Sequence, residues 1–309
     1  MKSKLQGIIP PIITPLLGHD QLDHAGLQKL VDHLIGGGIH GIFVLGTTGE
    51  FASLSERLKQ EMVTAVCQHV NGRVPVLVGV SHTSLEQTWL LARHAESQGA
   101  TAVVLSTPYY FALSQPELCD YLTLALSGLS LPVYLYNIPS CTKVPIEVET
   151  VRRFLDTPKI KGIKDSSGNM AYYHELLHVT LQIDWSVLMG PEELLAESVL
   201  LGGHGGVAGG ANLFPRLFVS IYEAAIANDV TRVRSLQEYL SRISSTLYKT
   251  GSYGSSFIKS LKCSLSVLGI CSDEMAAPFQ KFGQAHRDKV AEQLGALSLT
   301  LAGIQNKMI

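Results

Sequence analysis

Apolar positions along this chain come in short unbroken runs separated by longer amphipathic stretches. Eight runs stand out: "GIIPPIITP" (7–15), "GIFVLGT" (41–47), "VPVLVGV" (74–80), "ATAVVLST" (100–107), "LPVYLYNI" (131–138), "IKGIKD" (160–165), "WSVLMG" (185–190) and "GGVAGG" (205–210). Continuous runs, rather than strict alternation, predict parallel strands covered on both faces. Between them, 55–70, 84–98 and 191–201 carry helical periodicity. Ser55 precedes "ERLKQEM", and Pro116 opens "PELCDYL" after Ser114, residues suited to the free N–H groups of a first helical turn. Eight strand–helix units in about 230 residues predict a closed (β/α)8 TIM barrel. We place it at 1–228, with a C-terminal helical domain at 229–309, where the pattern holds helices and no strands. An open doubly wound sheet is the alternative arrangement of the same units.

Composition narrows the function classes. Hydrophobic residues make up 46% of the 309 and charged residues 16%, as in a compact enzyme rather than a disordered or fibrous chain. The formal charge of −2 comes with no basic stripe or acidic tail, which argues against nucleic acid and anionic membrane as partners. The five cysteines (67, 119, 141, 263 and 271) form no CxxC pair, a usage expected of reduced thiols in a cytoplasmic protein. The stretch "MKSKLQGIIPPIITPL" is broken by Pro10, Pro11 and Pro15 and reads as neither signal peptide nor membrane span.

The chemistry of a barrel of this kind sits where its strands end. Thr47 and Thr48, Ser81, Thr107, Tyr109 and Tyr110, Tyr136 and Lys164 fall there, and the eighth run ends in a glycine-rich turn. Hydroxyls, phenols and one amine converge, a poor set for a metal. Period-two geometry puts Ile160, Gly162 and Lys164 on one face and Lys161, Ile163 and Asp165 on the other. Lys161 starts the run and can reach water at the barrel bottom. Lys164 cannot if its face points inward. Burial of an amine disfavours the ammonium, and a neutral amine is a nucleophile that forms imines with carbonyl compounds. A structural lysine paired with a carboxylate is the competing explanation.

"GTTGE" (46–50), "TPYY" (107–110), "YNIP" (136–139), "GIKDSSGN" (162–169) and "GGVAGGAN" (205–212) occur in order. Together they resemble the dihydrodipicolinate synthase / N-acetylneuraminate lyase family, Schiff-base aldolases of class I that handle pyruvate. The resemblance runs from about residue 5 into the C-terminal helices and implies a (β/α)8 barrel with a C-terminal helical domain. By motif, Lys164 resembles the family's Schiff-base lysine and Tyr136 its proton-shuttling phenol. Thr47 resembles the hydroxyl that links this phenol to a second tyrosine, matched by Tyr110, which in the family completes a neighbouring subunit's relay. Thr47 and Thr48 resemble the residues that hold the pyruvate carboxylate, and Val207 and Gly209 the turn lining the imine. The resemblance implies a homodimer or homotetramer, a 2-oxo acid substrate and no metal or other cofactor.

One position departs from the pattern. Where the lysine-pathway synthases carry an arginine that forks a second carboxylate, "YNIPSCT" has Cys141. Loss of such a contact costs about 2–3 kcal/mol. The places of the family's effector histidines hold Glu56 and Lys59. These departures move the expectation from dihydrodipicolinate synthesis to retro-aldol cleavage of a 2-keto-3-deoxy sugar acid or related hydroxy-2-oxo acid. Dihydrodipicolinate synthase, N-acetylneuraminate lyase and a Schiff-base dehydratase remain as alternatives. From other classes, "HELLH" (174–178) fits the HExxH zinc pattern, and "GGHGGVAGGANLFP" (202–215) could cradle a phosphate. A keto-acid-binding paralogue without activity is a further alternative, but it would not require a proton relay. "TGSYGSS" (250–256) reads as a flexible turn near the mouth.

Overall fold

The computed structural model describes residues 4–305. Eight parallel strands form one sheet: β1 (Gly7–Ile8), β2 (Ile42–Val44), β3 (Val76–Gly79), β4 (Ala102–Ser106), β5 (Val133–Asn137), β6 (Ile160–Asp165), β7 (Ser186–Met189) and β8 (Gly205–Gly206). Neighbours follow chain order from β2 to β8, and β8 pairs with β1. The first strand ends early because Pro10, Pro11 and Pro15 lack the N–H that a ladder needs. It stays extended all the same. Ile12 N donates to Phe43 O and Phe43 N to Pro10 O, both at 2.9 Å, and Pro11 bridges Phe43 in parallel. These bonds join β1 to β2 and close the barrel, which excludes the open sheet.

Helices alternate with the strands: α1 (His24–Gly36), α2 (Glu56–Val70), α3 (Leu85–Ser97), α4 (Gln115–Ser127), α5 (Val148–Arg153), α6 (Met170–Val179), α7 (Leu195–Leu200) and α8 (Pro215–Ile226). Their starts are capped as the sequence predicts. Ser55 accepts from Leu58 N at 3.1 Å, and Ser114 and Glu117 form a capping box ahead of α4, each cap contributing about 1 kcal/mol. Helices α9 (Val230–Ser245), α10 (Ser256–Val267) and α11 (Gln284–Gln305) follow. No described helix is long and apolar enough to cross a membrane.

Alternate strand residues feed two cores. Ile9, Phe43, Val104, Tyr134, Tyr136 and Leu188 are among those filling the barrel interior. Val133, Leu135 and Ile163 instead join the larger cluster under the helices. One expectation needs correction here. Ile160 does not share a face with Gly162 and Lys164, because it belongs to the outer cluster. The ladder pairs Val133 with Ile160 but Tyr134 with Gly162, so Lys161 is an extra residue in a β-bulge. A bulge shifts the alternation by one. Beyond it Gly162 and Lys164 stand opposite the inward Tyr134 and Tyr136. A Cβ at Gly162 would collide with the Ser186 carbonyl and stand 2.9 Å from the Tyr134 ring. The glycine is therefore required for this phenol to fill the barrel beneath the lysine.

Candidate active site

Lys164 and Tyr136 are Cα partners across the β5–β6 ladder, so both reach the same level of the barrel. The Lys164 side chain is buried, with 6% of the residue exposed. Its Nζ lies 4.0 Å from the centroid of the Tyr136 ring and 5.4 Å from that of Phe43, and those two rings meet edge to face. No carboxylate pairs with Lys164 among the described residues, which removes the competing structural explanation. The adjacent Asp165 is turned to other work. It accepts from Asn137 Nδ2 at 2.8 Å, from Ser167 N at 3.0 Å and from Ser167 Oγ at 2.9 Å, and burial raises its carboxyl above the ordinary range. Asn137 Oδ1 in turn accepts from Ile146 N at 3.0 Å. This network ties the loops after β5 and β6 together.

The hydroxyls come from the turn after β2. Leu45 takes a left-handed φ of 60°, a conformation that costs a non-glycine residue of order 1–3 kcal/mol. It swings the chain into a 3-10 turn, Thr47–Gly49. Thr47 Oγ1 then stands 3.3 Å from the Tyr136 hydroxyl, and Thr48 is buried behind it. On the far side, Val207 lies in the barrel interior with Tyr136. A side chain at Gly209 would stand 2.7 Å from the Phe257 ring and 3.4 Å from Thr48 Oγ1, so the turn after β8 backs directly onto the threonines. Lys164, Tyr136, Thr47, Thr48, Val207 and Gly209 thus converge at the C-terminal end of the barrel.

Two expected residues sit differently. Tyr110 is 80% exposed, its ring packed edge to face on the exposed Phe111; Tyr109 faces inward in its place. Cys141 is an exposed free thiol in the single helical turn Pro139–Thr142 after β5. It lines the rim of a cavity of about 410 Å³ that opens above Tyr136 and Thr47.

Sequence reasoning placed "TGSYGSS" near the mouth but missed the rest of the C-terminal contribution. Gly254 and Ser255 of that turn line this cavity, as expected, and Ile258 and Phe279 join them unannounced. Glu50, which ends the threonine turn, pairs in full burial with Lys262 of α10 and accepts from Ala276 N at 2.8 Å; burial holds the Lys262 ammonium below its usual value. Glu192, after β7, accepts from Gly210 N at 2.6 Å. The Tyr248 hydroxyl faces it, and burial pushes the Glu192 carboxyl up to about 7. The GTTGE and GGVAGGAN motifs were the available signals, but neither names its partner.

The alternatives from other classes lose their geometry. His174, Glu175 and His178 lie on the exposed side of α6, and no three metal-ligating side chains gather anywhere among the described residues. The glycine-rich turn spends its Gly210 N–H on Glu192 and is pinned by Asn212, which donates to Pro11 O and Gly209 O at 2.9 and 2.8 Å. An anion there would displace an acid already in place. Lys59, nearly buried, donates to Glu56 at 2.7 Å, with His82 3.4 Å from the same oxygen.

Known proteins place this geometry. The sequence profile of the Dihydrodipicolinate synthetase family matches residues 4–297. The chain is 31% identical over 291 residues to the probable 2-dehydro-3-deoxy-D-pentonate aldolase YjhH of Escherichia coli, covering 93% of this chain and 95% of that one. It is 32% identical over 308 residues to the 4-hydroxy-tetrahydrodipicolinate synthase of Thermomicrobium roseum, covering 98% of each. Among solved structures, dihydrodipicolinate synthase from Bacteroides thetaiotaomicron superposes with a TM-score of 0.93 at 51% identity, over 96% of this chain and all of that one. YagE of Escherichia coli, solved in complex with pyruvate, gives 0.88 at 30% identity over 95% and 99% of the two chains. A closed barrel, a buried unpaired lysine against a tyrosine, and a match along nearly the whole chain lead to one conclusion: this protein belongs to the dihydrodipicolinate synthetase family and is a lyase of the class I aldolase kind.

Proposed function

We propose that the enzyme cleaves a 2-keto-3-deoxy sugar acid, or a related 4-hydroxy-2-oxo acid, into pyruvate and an aldehyde through an imine at Lys164. The observation that carries this reading is the Lys164 amine, buried without a counter-ion 4.0 Å from the Tyr136 ring. The amine attacks the C2 carbonyl, and the carbinolamine loses water to leave a protonated imine. Removal of the C4 hydroxyl proton breaks the C3–C4 bond. Its electron pair moves into the imine as an enamine, and the aldehyde departs. Protonation at C3 and hydrolysis release pyruvate and restore the lysine. Tyr136 is the group that takes and returns these protons, with Thr47 passing them on from its hydroxyl 3.3 Å away. Thr47 and Thr48, with the backbone at Val207 and Gly209, hold the pyruvate end.

Tyr110 completes the relay of a neighbouring subunit in a homodimer or homotetramer. Its 80% exposure beside an equally bare Phe111 supports this role. The reduced thiols, four of five buried and none paired, support a cytoplasmic setting.

Trapping with borohydride and pyruvate, followed by mass mapping, tests the proposal. An adduct at Lys164 that Lys164→Ala abolishes is expected, and an enzyme that turns over without any adduct would overturn it. The name carried by the Bacteroides structure favours a second reading, condensation of pyruvate with aspartate semialdehyde. Against it stands Cys141 at the rim, a thiol that offers a second carboxylate no cationic fork. Turnover of aspartate semialdehyde at an efficiency matching the best sugar acid would reverse the order of the two.

A further inference from the structure

The outer half of the cavity is built from parts of the chain that the imine chemistry does not use. Phe51 comes from the turn after β2, Ile258 from α10, and Phe279 from the segment between α10 and α11. None of the three belongs to the barrel-interior cluster that holds Tyr136. Phe279 is 39% exposed, which puts this apolar group at the rim, away from the lysine.

The polar groups of the same cavity are largely spent. Ser81 Oγ accepts from Ser106 N at 2.8 Å, and Ser106 Oγ donates to Thr107 O at 3.1 Å. Thr142 Oγ1 donates to Ile138 O and Val144 O, each at 3.1 Å. Glu50 is committed to Lys262 and Ala276 N. The Tyr109 phenol is hydrogen-bonded to Thr83, so beyond Thr47 and Tyr136 at the base, Ser53, Ser255 and Cys141 remain to meet a ligand. No arginine, lysine or histidine is among the described residues that line the cavity. A carboxylate or phosphate brought here would lose its water without gaining a cation, which is costly. A chain end bearing many hydroxyls would leave some of them unpaired against phenyl and sec-butyl surface.

Resting on the imine reading above, we infer that Ile258 and Phe279, with Phe51, form a specificity wall contributed mainly by the C-terminal helices. This wall selects an uncharged aldehyde whose far end is apolar, a terminally deoxygenated hydroxyaldehyde, over fully hydroxylated and over anionic ones.

The test runs in the direction of synthesis, with pyruvate and one of three aldehydes: 2-hydroxypropanal, glyceraldehyde and succinate semialdehyde. We expect kcat/KM for 2-hydroxypropanal to exceed that for glyceraldehyde by about tenfold, and that for succinate semialdehyde by on the order of 100-fold. Two variants probe the wall through ratios that do not depend on how much enzyme folds. Ile258→Lys should raise succinate semialdehyde relative to 2-hydroxypropanal by at least about tenfold. Phe279→Ser should shrink the preference for 2-hydroxypropanal over glyceraldehyde. Succinate semialdehyde used within tenfold of 2-hydroxypropanal by the unaltered enzyme, or ratios that neither variant moves, would overturn the wall. Borohydride trapping with pyruvate alone separates the two levels: no adduct sinks the imine reading and the wall with it, whereas an adduct with the wrong aldehyde order sinks the wall alone.

Discussion

Glu192→Gln should make the protein more stable, and increasingly so as pH rises. Glu192 is sealed between the turn after β8 and Tyr248, where it accepts from Gly210 N at 2.6 Å and meets the Tyr248 hydroxyl. Burial moves its carboxyl from an ordinary 4.5 up to about 7, against the pull of these hydrogen bonds. Between those two values the folded protein holds a proton that the unfolded chain has released, so stability from this group falls as pH climbs through the window. Below about 4.5 the penalty is absent, and above about 7 it is complete. A displacement of this size corresponds to about 3 kcal/mol. Glutamine copies the protonated acid: its oxygen accepts from Gly210, its NH2 faces Tyr248, and it cannot ionise. In denaturant unfolding, the variant's advantage over the unaltered protein should be under about 1 kcal/mol at pH 5 and grow to about 3 kcal/mol at pH 8. Taking the difference at each pH cancels every other titrating group. A difference that stays flat from pH 5 to 8 would refute the reasoning, because it would mean that the buried carboxyl does not change its charge in that range.

Other expectations concern the reacting groups and the joint between barrel and helices. Tyr136→Phe removes the hydroxyl set against Thr47 and should lower kcat on the order of 100-fold or more while changing KM little; a loss under tenfold would take the phenol out of proton transfer. Lys262→Met strands the Glu50 carboxylate in full burial and should destabilise by about 3–5 kcal/mol in chemical denaturation. The Glu50→Gln, Lys262→Met double variant should recover part of that loss, and a double variant no better than the single would contradict the pairing. Tyr110→Ala should weaken self-association in sedimentation and lower turnover together, whereas full activity in a dissociated protein would remove Tyr110 from the reaction.

Much of the fold is legible because it is local. Eight apolar runs with capped helices between them can only close one way once the proline-rich first strand bonds to Phe43 O at its edge, and Lys164 is visible as an amine in a strand that should hold none. What fails is everything set by a partner far along the chain. Simple alternation puts Ile160 beside Lys164, and the bulge at Lys161 that prevents it is specified by the fit of Gly162 against Tyr134 and Ser186. The left-handed turn at Leu45 has no glycine to announce it. The Glu50–Lys262 pair spans 212 residues of sequence (262 − 50), and no periodicity reports it.

That pair also explains how a helix outside the barrel can set specificity at its mouth. Ile258 and Lys262 are four residues apart on α10, so they share one face of the helix. Lys262 is fastened to Glu50, the residue that ends the turn bearing Thr47 and Thr48, while Ile258 one turn earlier lines the cavity. The ion pair therefore fixes the height of the apolar wall relative to the catalytic hydroxyls. An exchange of Ile258 alters what the aldehyde end meets without touching the lysine, the phenol or the threonines. Loss of Lys262 acts on both at once, because the turn and the wall come free together. On this arrangement the barrel keeps the pyruvate chemistry constant, and the aldehyde can change by substitutions one helical turn from the anchor.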